Sequence, residues 1–292
     1  MAGRRITDLP RPNDANRIDL HASAFESEQD AAREDALRAK SARVQAAKHG
    51  GEWGVRAADL AHTIDPDLHA ELPVALASSR YLRDQRARIF SDLYRLLKDA
   101  QPGSFVRADV VKPSWACDIF ELHELNPNQL LGEFRADVLR VAQANPKKSA
   151  SSSQVGSRGG FLFAAIHGEF DQIAKIYHPH VHIGATGRYI DIFDGLRKLK
   201  GYRPSDRVRF PIYVNRTITD LPSALTYILK SYWPQRPFLP LGANGAIKRP
   251  RNHQRIDEPY HTDLLLWLDE WKLSDLILLM GIRVGKNGLV LI

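Results

Sequence analysis

Apolar residues recur at helical spacing at Leu82, Ile89, Leu93, Leu96 and Leu97, behind Ser78 or Ser79 as an N-cap and ahead of a Pro102-Gly103 stop. The spacing predicts a helix over this stretch. Residues 105–111 then read as a strand, and Leu130, Leu131, Phe134, Val138 and Val141 mark a second amphipathic helix closed by Asn145 and Pro146. Two apolar runs, 161–170 and 176–183, read as neighbouring strands. A short helix near 192–200 and a strand at 208–214 follow, and Pro222 opens a further helix carrying Leu225, Tyr227, Ile228 and Leu229 that Pro234 ends. The order helix, strand, helix, strand, strand, helix, strand, helix predicts an α+β fold, a mainly antiparallel sheet with helices on one face.

The flanks read differently. Residues 1–77 are rich in Ala, Arg, Asp and Glu with scattered prolines. Residues 29–48 could form a polar helix but show no consistent apolar stripe, so the segment reads as a flexible, charged N-terminal arm. The folded domain is expected at 78–240. A basic linker with Lys248, Arg249, Arg251 and Arg255 then leads to a small helical C-terminal segment, 241–292, in which 261–271 and 274–280 read as two short apolar helices. Residues 147–160, Ser and Gly rich and basic, read as an exposed loop.

Composition narrows the function classes. The one cysteine, Cys117, cannot close an internal disulfide or supply a Cys-rich zinc site, so a metal site must draw on His, Asp, Glu or Gln. No run of about 18 apolar residues occurs and the N-terminus has no apolar secretory segment, so a cytoplasmic protein without membrane contact is expected. A net charge of +7 favours polyanionic partners.

The most informative residues are His178, His180 and His182, at alternate positions in a run bounded by Tyr177 and Ile183. On a strand, alternate residues share a face, so the three imidazoles stand in a row. Two imidazoles so spaced bind a divalent cation if a further ligand arrives from the adjacent strand. Glu169 and His167 are the nearest candidates there; Glu169 is preferred for its hard oxygen, and His178 competes with both. Pro179 removes a ladder donor and belongs at a strand's start or edge. Downstream, Tyr227 and Lys230 are three apart and would share a helix face, placing an ammonium beside a phenol. A phenol attacking phosphorus needs an activated phosphoryl group, because its ordinary pKa of about 10 leaves little phenolate at neutral pH.

These residues resemble the HUH endonucleases, the superfamily of rolling-circle replication initiators, relaxases and single-strand transposases. His180-Val181-His182 matches the His-hydrophobic-His metal motif, His178 through His182 matches its extended form His-Pro-His-x-His, and Ala224 through Lys230 matches hydrophobic-x-x-Tyr-hydrophobic-x-Lys. The strand at 105–110 meets the first motif loosely. The resemblance spans roughly 78–235 and implies a ferredoxin-like palm. It implies that Tyr227 attacks a DNA phosphodiester to leave a 5′-phosphotyrosyl link, with His180 and His182 holding Mg²⁺ or Mn²⁺ and Lys230 positioning the phosphate or the cation. It also implies single-stranded or hairpin DNA as substrate, initiation of plasmid or phage-like replication, and host replication proteins as possible partners. Tyr232 lies five residues on, whereas two-tyrosine members space their phenols by four, so a single nucleophile is expected.

Two other classes compete. His178 to Gly184 also fits the His-x-His-x-His pattern of histidine-triad nucleotide hydrolases, where a histidine is the nucleophile. A non-catalytic DNA-binding protein would instead use the basic arm, the cations Arg197, Lys198, Lys200, Arg203, Arg207 and Arg209, with Tyr202 and Tyr213 as stacking surfaces, and the last two helices as a helix-turn-helix.

Overall fold

The computed structural model describes residues 4–12, 25–101, 103–144, 159–205, 208–235, 239–241, 246–248 and 254–292. The loop expected at 147–160, apart from its last two residues, and Arg207, Arg249 and Arg251 lie outside them. Among the described residues the chain is α+β, with seven α-helices and a mostly antiparallel mixed sheet.

Two helices precede the domain expected to start at 78: α1 (Glu28–His49) and α2 (Gly51–Ile64). They form a hairpin packed on α3 (Ser79–Leu97), so residues 28–64 are part of the fold and not a flexible arm. The apolar-stripe criterion failed because the packing face of α1 is built from small residues and paired charges. Ala31, Ala39 and Ala42 are buried, and so are Asp35 and Arg38. Asp35 accepts from the Ser78 hydroxyl at 2.7 Å and from the Ser79 and Arg80 backbone amides, capping α3 from outside. Arg38 donates to Glu34 at 2.9 Å and to the Ala77 carbonyl at 2.7 Å. Gly50, at φ 62, supplies the left-handed residue that turns α1 into α2.

The main sheet begins with β1 (Phe105–Val110) and the short β2 (Cys117–Asp118), followed by α4 (Pro127–Ala144). Its centre is the antiparallel hairpin of β3 (Leu162–Asp171) and β4 (Ile176–Thr186). The turn is fixed locally: Asp171 Oδ1 accepts from the amides of Ile173 and Ala174, at 3.0 and 3.1 Å, and Lys175 takes a positive φ. Then come α5 (Ile192–Leu196), β5 (Ile212–Asn215), α6 (Leu221–Ile228) and β6 (Pro234–Gln235). A separate hairpin pairs β7 (Leu239–Leu241) with β8 (Ala246–Lys248), before β9 (Gln254–Arg255) and α7 (Tyr260–Asp269). The chain closes with β10 (Ile277–Met280), β11 (Ile282–Gly285) and β12 (Gly288–Leu291).

Strand order is β5-β1-β4-β3-β6-β9, with β2 on β4 and β10 on β3. The second C-terminal helix is therefore absent: 277–280 is a strand that pairs antiparallel with β3, from Ile277 opposite Ala165 to Met280 opposite Leu162. Four apolar residues carry no period that separates helix from strand, and the vacant edge of β3 decides it. Both faces of the hairpin are buried. Tyr177, Val181, Ile183 and Ala185 line one, and His180, His182 and His167 the other, so the covering is not confined to one side as the element order suggested. No helix among the described residues is long and apolar enough to cross a membrane.

Candidate metal centre and its tyrosine

The register of the central hairpin sets the site. His167 on β3 lies directly opposite His180 on β4, and Ala165 opposite His182, so the three imidazoles share one face of the sheet. His167 Nδ1 is 3.2 Å from His180 Nε2, which is 3.1 Å from His182 Nε2. The ligand atoms of these three residues all lie within 4.8 Å of one another, making this a group close enough to hold a metal ion. Glu169 and His178, both expected as ligands, oppose each other one step nearer the turn and are not members of that group. The preference for Glu169 over His167 rested on oxygen chemistry. The pairing register, which sequence spacing does not contain, sets His167 directly against His180.

Two backbone carbonyls assign the tautomers. His167 Nε2 is 2.8 Å from the Tyr232 carbonyl and His180 Nδ1 is 3.1 Å from the His178 carbonyl, and only an N–H can serve a carbonyl. The nitrogens left over, His167 Nδ1 and His180 Nε2, then carry lone pairs that face each other at 3.2 Å. A cation between them turns that repulsion into ligation, and carbonyl-fixed tautomers are how ligating histidines are held. The residues therefore fit a divalent metal. Burial is the main cause that holds the His182 imidazole well below its ordinary pKa, followed by the neighbouring imidazoles and Lys230, so it is neutral and competent to ligate.

Pro179 is accommodated because β4 has a strand neighbour on one side only at that point. Opposite β3, the edge is shared by β2 up to Tyr177 and by β1 from Val181. Across from Pro179, Gly168 leaves room for Trp233: a Cβ there would stand 2.3 Å from the indole ring.

Helix α6 delivers the phenol. Asp220 caps it by accepting from the Ser223 amide at 3.0 Å, and Pro222 occupies its first turn. The Tyr227 ring stacks on His182, centroids 4.6 Å apart, and its hydroxyl donates to Asp109 Oδ2 at 3.2 Å. The helix ends at Ile228, so Lys230 is not on it as expected; its Nζ nevertheless lies 4.1 Å from the Tyr227 ring centroid. Two buried arginines hold the segment that leaves the helix. Arg86 of α3 donates to the Leu229 carbonyl at 2.6 Å and Arg38 of α1 to that of Ser231 at 3.4 Å. Tyr232 contributes its carbonyl to the centre while its side chain is 44% exposed.

Two residues of β1 complete the site. Asp109 is paired with His182 in register, with Oδ1 3.7 Å from His182 Nε2, and the Arg107 guanidinium carbon is 3.8 Å from the Tyr227 centroid. Burial raises the Asp109 carboxyl, against the opposing pull of His180, Arg107, the Tyr227 hydrogen bond and Lys230. Burial also raises the Tyr227 phenol, and the Asp109 charge adds to it. Neither Asp109 nor Arg107 was singled out from the sequence. The available signal was two charges at alternate positions of an apolar strand, Phe105-Val106-Arg107-Ala108-Asp109-Val110, which places both on one face. Comparisons of the chain with family models, with curated proteins and with solved structures find no match in any of the three.

Proposed function

We propose that this protein is a metal-dependent, single-tyrosine DNA strand transferase of the HUH endonuclease type, with its sheet serving as the palm of that fold. It nicks and rejoins single-stranded or hairpin DNA, in the manner of a rolling-circle replication initiator. The observation that carries the reading is the stacking of the Tyr227 phenol on a member of a buried three-histidine cluster, with its hydroxyl on a buried carboxylate.

In the proposed reaction Tyr227 Oη attacks phosphorus, the Oη–P bond forms and the P–O3′ bond breaks. The phenol proton passes to Asp109, and the departing 3′ oxygen takes up a proton from water and leaves as a hydroxyl. One phosphodiester is exchanged for another, so the reverse step rejoins the strand. His167, His180 and His182 would hold a divalent cation, which when bound would supply Lewis-acid polarisation of the non-bridging oxygens. Three imidazoles favour Mn²⁺ over Mg²⁺, which prefers oxygen ligands. Lys230 and Arg107 flank the phenol and offset charge that develops on the phosphoryl group.

Incubation with mixed single-stranded DNA and Mn²⁺, followed by denaturing electrophoresis, should reveal protein carrying covalent DNA. Tyr227→Phe should abolish the adduct and Tyr232→Phe should spare it. The reverse pattern would move the nucleophile. A phosphoramidate trapped on His180 or His182 would favour a histidine-triad hydrolase, and binding without scission would leave a DNA-binding protein.

A further inference from the structure

Cross-strand pairing carries the histidine face beyond the metal centre. His182 on β4 is opposite Asp109 on β1, which is opposite Tyr213 on β5, so the three side chains stand in one row on one face. Two strand spacings place Tyr213 about 10 Å from His182 along the sheet. Strand β5 ends the sheet order, and Tyr213 is 54% exposed, an aromatic residue at an open edge and opposite Asp109, the hydrogen-bond partner of the nucleophile. Tyr202, the other tyrosine that the sequence offered for stacking, is 2% exposed and donates its hydroxyl to Asp137 at 2.9 Å, so it belongs to the core. Arg107, two residues before Asp109 on the same face of β1 and over the Tyr227 ring, has its Nε buried and without a hydrogen-bond partner.

From this juxtaposition we infer that the strip from Tyr227 to the β5 edge is a binding site for a single-stranded nucleotide, in which Tyr213 stacks on a base and Arg107 holds a backbone phosphate. The inference rests on the DNA-nicking reading and names how its substrate is held. A π-face is available on every base, so stacking on Tyr213 grips a strand without reading its sequence. A guanidinium suits a phosphate because its fork matches two oxygens. Together they align the strand so that one phosphate meets the Tyr227 hydroxyl.

The test uses the full chain as Tyr227→Phe, which binds without cleaving, and fluorescence anisotropy with two probes: a mixed-sequence 12-mer and the same length of abasic sugar-phosphate. Tyr213→Ala should weaken binding of the 12-mer on the order of tenfold, leave the abasic strand unchanged, and be rescued by Tyr213→Trp. Arg107→Ala should weaken both probes alike and reduce the slope of log affinity against log salt by about 0.7, the value for one single-strand phosphate contact, whereas Arg107→Lys should keep the slope. Phe210 is an internal control: it is 70% exposed but lies before β5, outside the cross-strand row, so Phe210→Ala should leave both probes within twofold. Equal losses on both probes for Tyr213→Ala, or an equal loss for Phe210→Ala, would overturn the site. Failure of the wild-type chain to form a covalent adduct would instead strike the nicking reading itself. A chain that forms the adduct yet shows no difference between Tyr213 and its alanine variant would refute only the nucleotide site.

Discussion

Replacing His167 by phenylalanine keeps a planar ring of similar size while removing both nitrogens, and so decides which side chain completes the metal centre. In the wild-type chain, a divalent cation at 100 times its Kd stabilises the folded state by about 2.7 kcal/mol. At roughly 2 °C per kcal/mol for a chain of this length, Tm should rise by about 5 °C. His167 contributes one of three convergent nitrogens, 3.2 Å from its neighbour. Loss of an outer partner of a ligand already weakens metal binding 10- to 100-fold, so loss of the ligand should weaken it on the order of a hundredfold or more. The same cation concentration then gives the variant about 0.4 kcal/mol or less, a shift below about 1 °C. The variant also leaves the Tyr232 carbonyl without its 2.8 Å donor, lowering its baseline stability by about 1–3 kcal/mol. That loss cancels because the shift is measured within each variant. Differential scanning fluorimetry with and without Mn²⁺ at pH 7.5 provides the assay. Glu169→Gln should retain the full shift. A full shift in His167→Phe together with its loss in Glu169→Gln would refute the three-histidine assignment and restore the carboxylate.

Three further outcomes test how the fold supports the site. Arg86→Met should destabilise the chain by about 3–5 kcal/mol, because it leaves the Glu26 carboxylate and the Leu229 carbonyl unpaired in a buried setting; urea unfolding would show it as a lower midpoint. Gly168→Ala should cost about 1–3 kcal/mol, since its Cβ would meet the Trp233 ring at 2.3 Å, and indole fluorescence should report the displacement. The third concerns Glu258, where burial alone would raise the carboxyl. The pull of His261 and the hydroxyls of Ser41 and Thr262 override burial and hold it at about 2, against an ordinary 4.5. A depressed carboxyl contributes stability that is complete above pH 4.5 and is lost as pH falls toward 2. Glu258→Gln should therefore lose up to about 3 kcal/mol near neutrality and flatten the acid limb of the stability profile, read by denaturant midpoints from pH 7 to 3.

Periodicity along the chain was enough to determine α3, α4 and α6, strands β1, β3, β4 and β5, and the placement of His180, His182 and Tyr227 on them. These elements bury large apolar residues at regular intervals, and an alternate-residue row on a strand has one geometry. Spacing could not reveal which side chain on β3 meets that row. His167 and Glu169 share a face, and only the hairpin register sets His167 against His180. Nor could it bring Asp109 and Arg107 to the phenol or set Tyr213 opposite Asp109, because cross-strand neighbours are set by pairing between distant segments. The N-terminal helices escaped notice for a different reason: α1 packs through alanines and through charges such as Asp35 and Arg38, whose burial relies on partners 39 or more residues away as well as on local pairing. Local pattern records which residues seek burial, while pairing partners and charge satisfaction are properties of the folded chain.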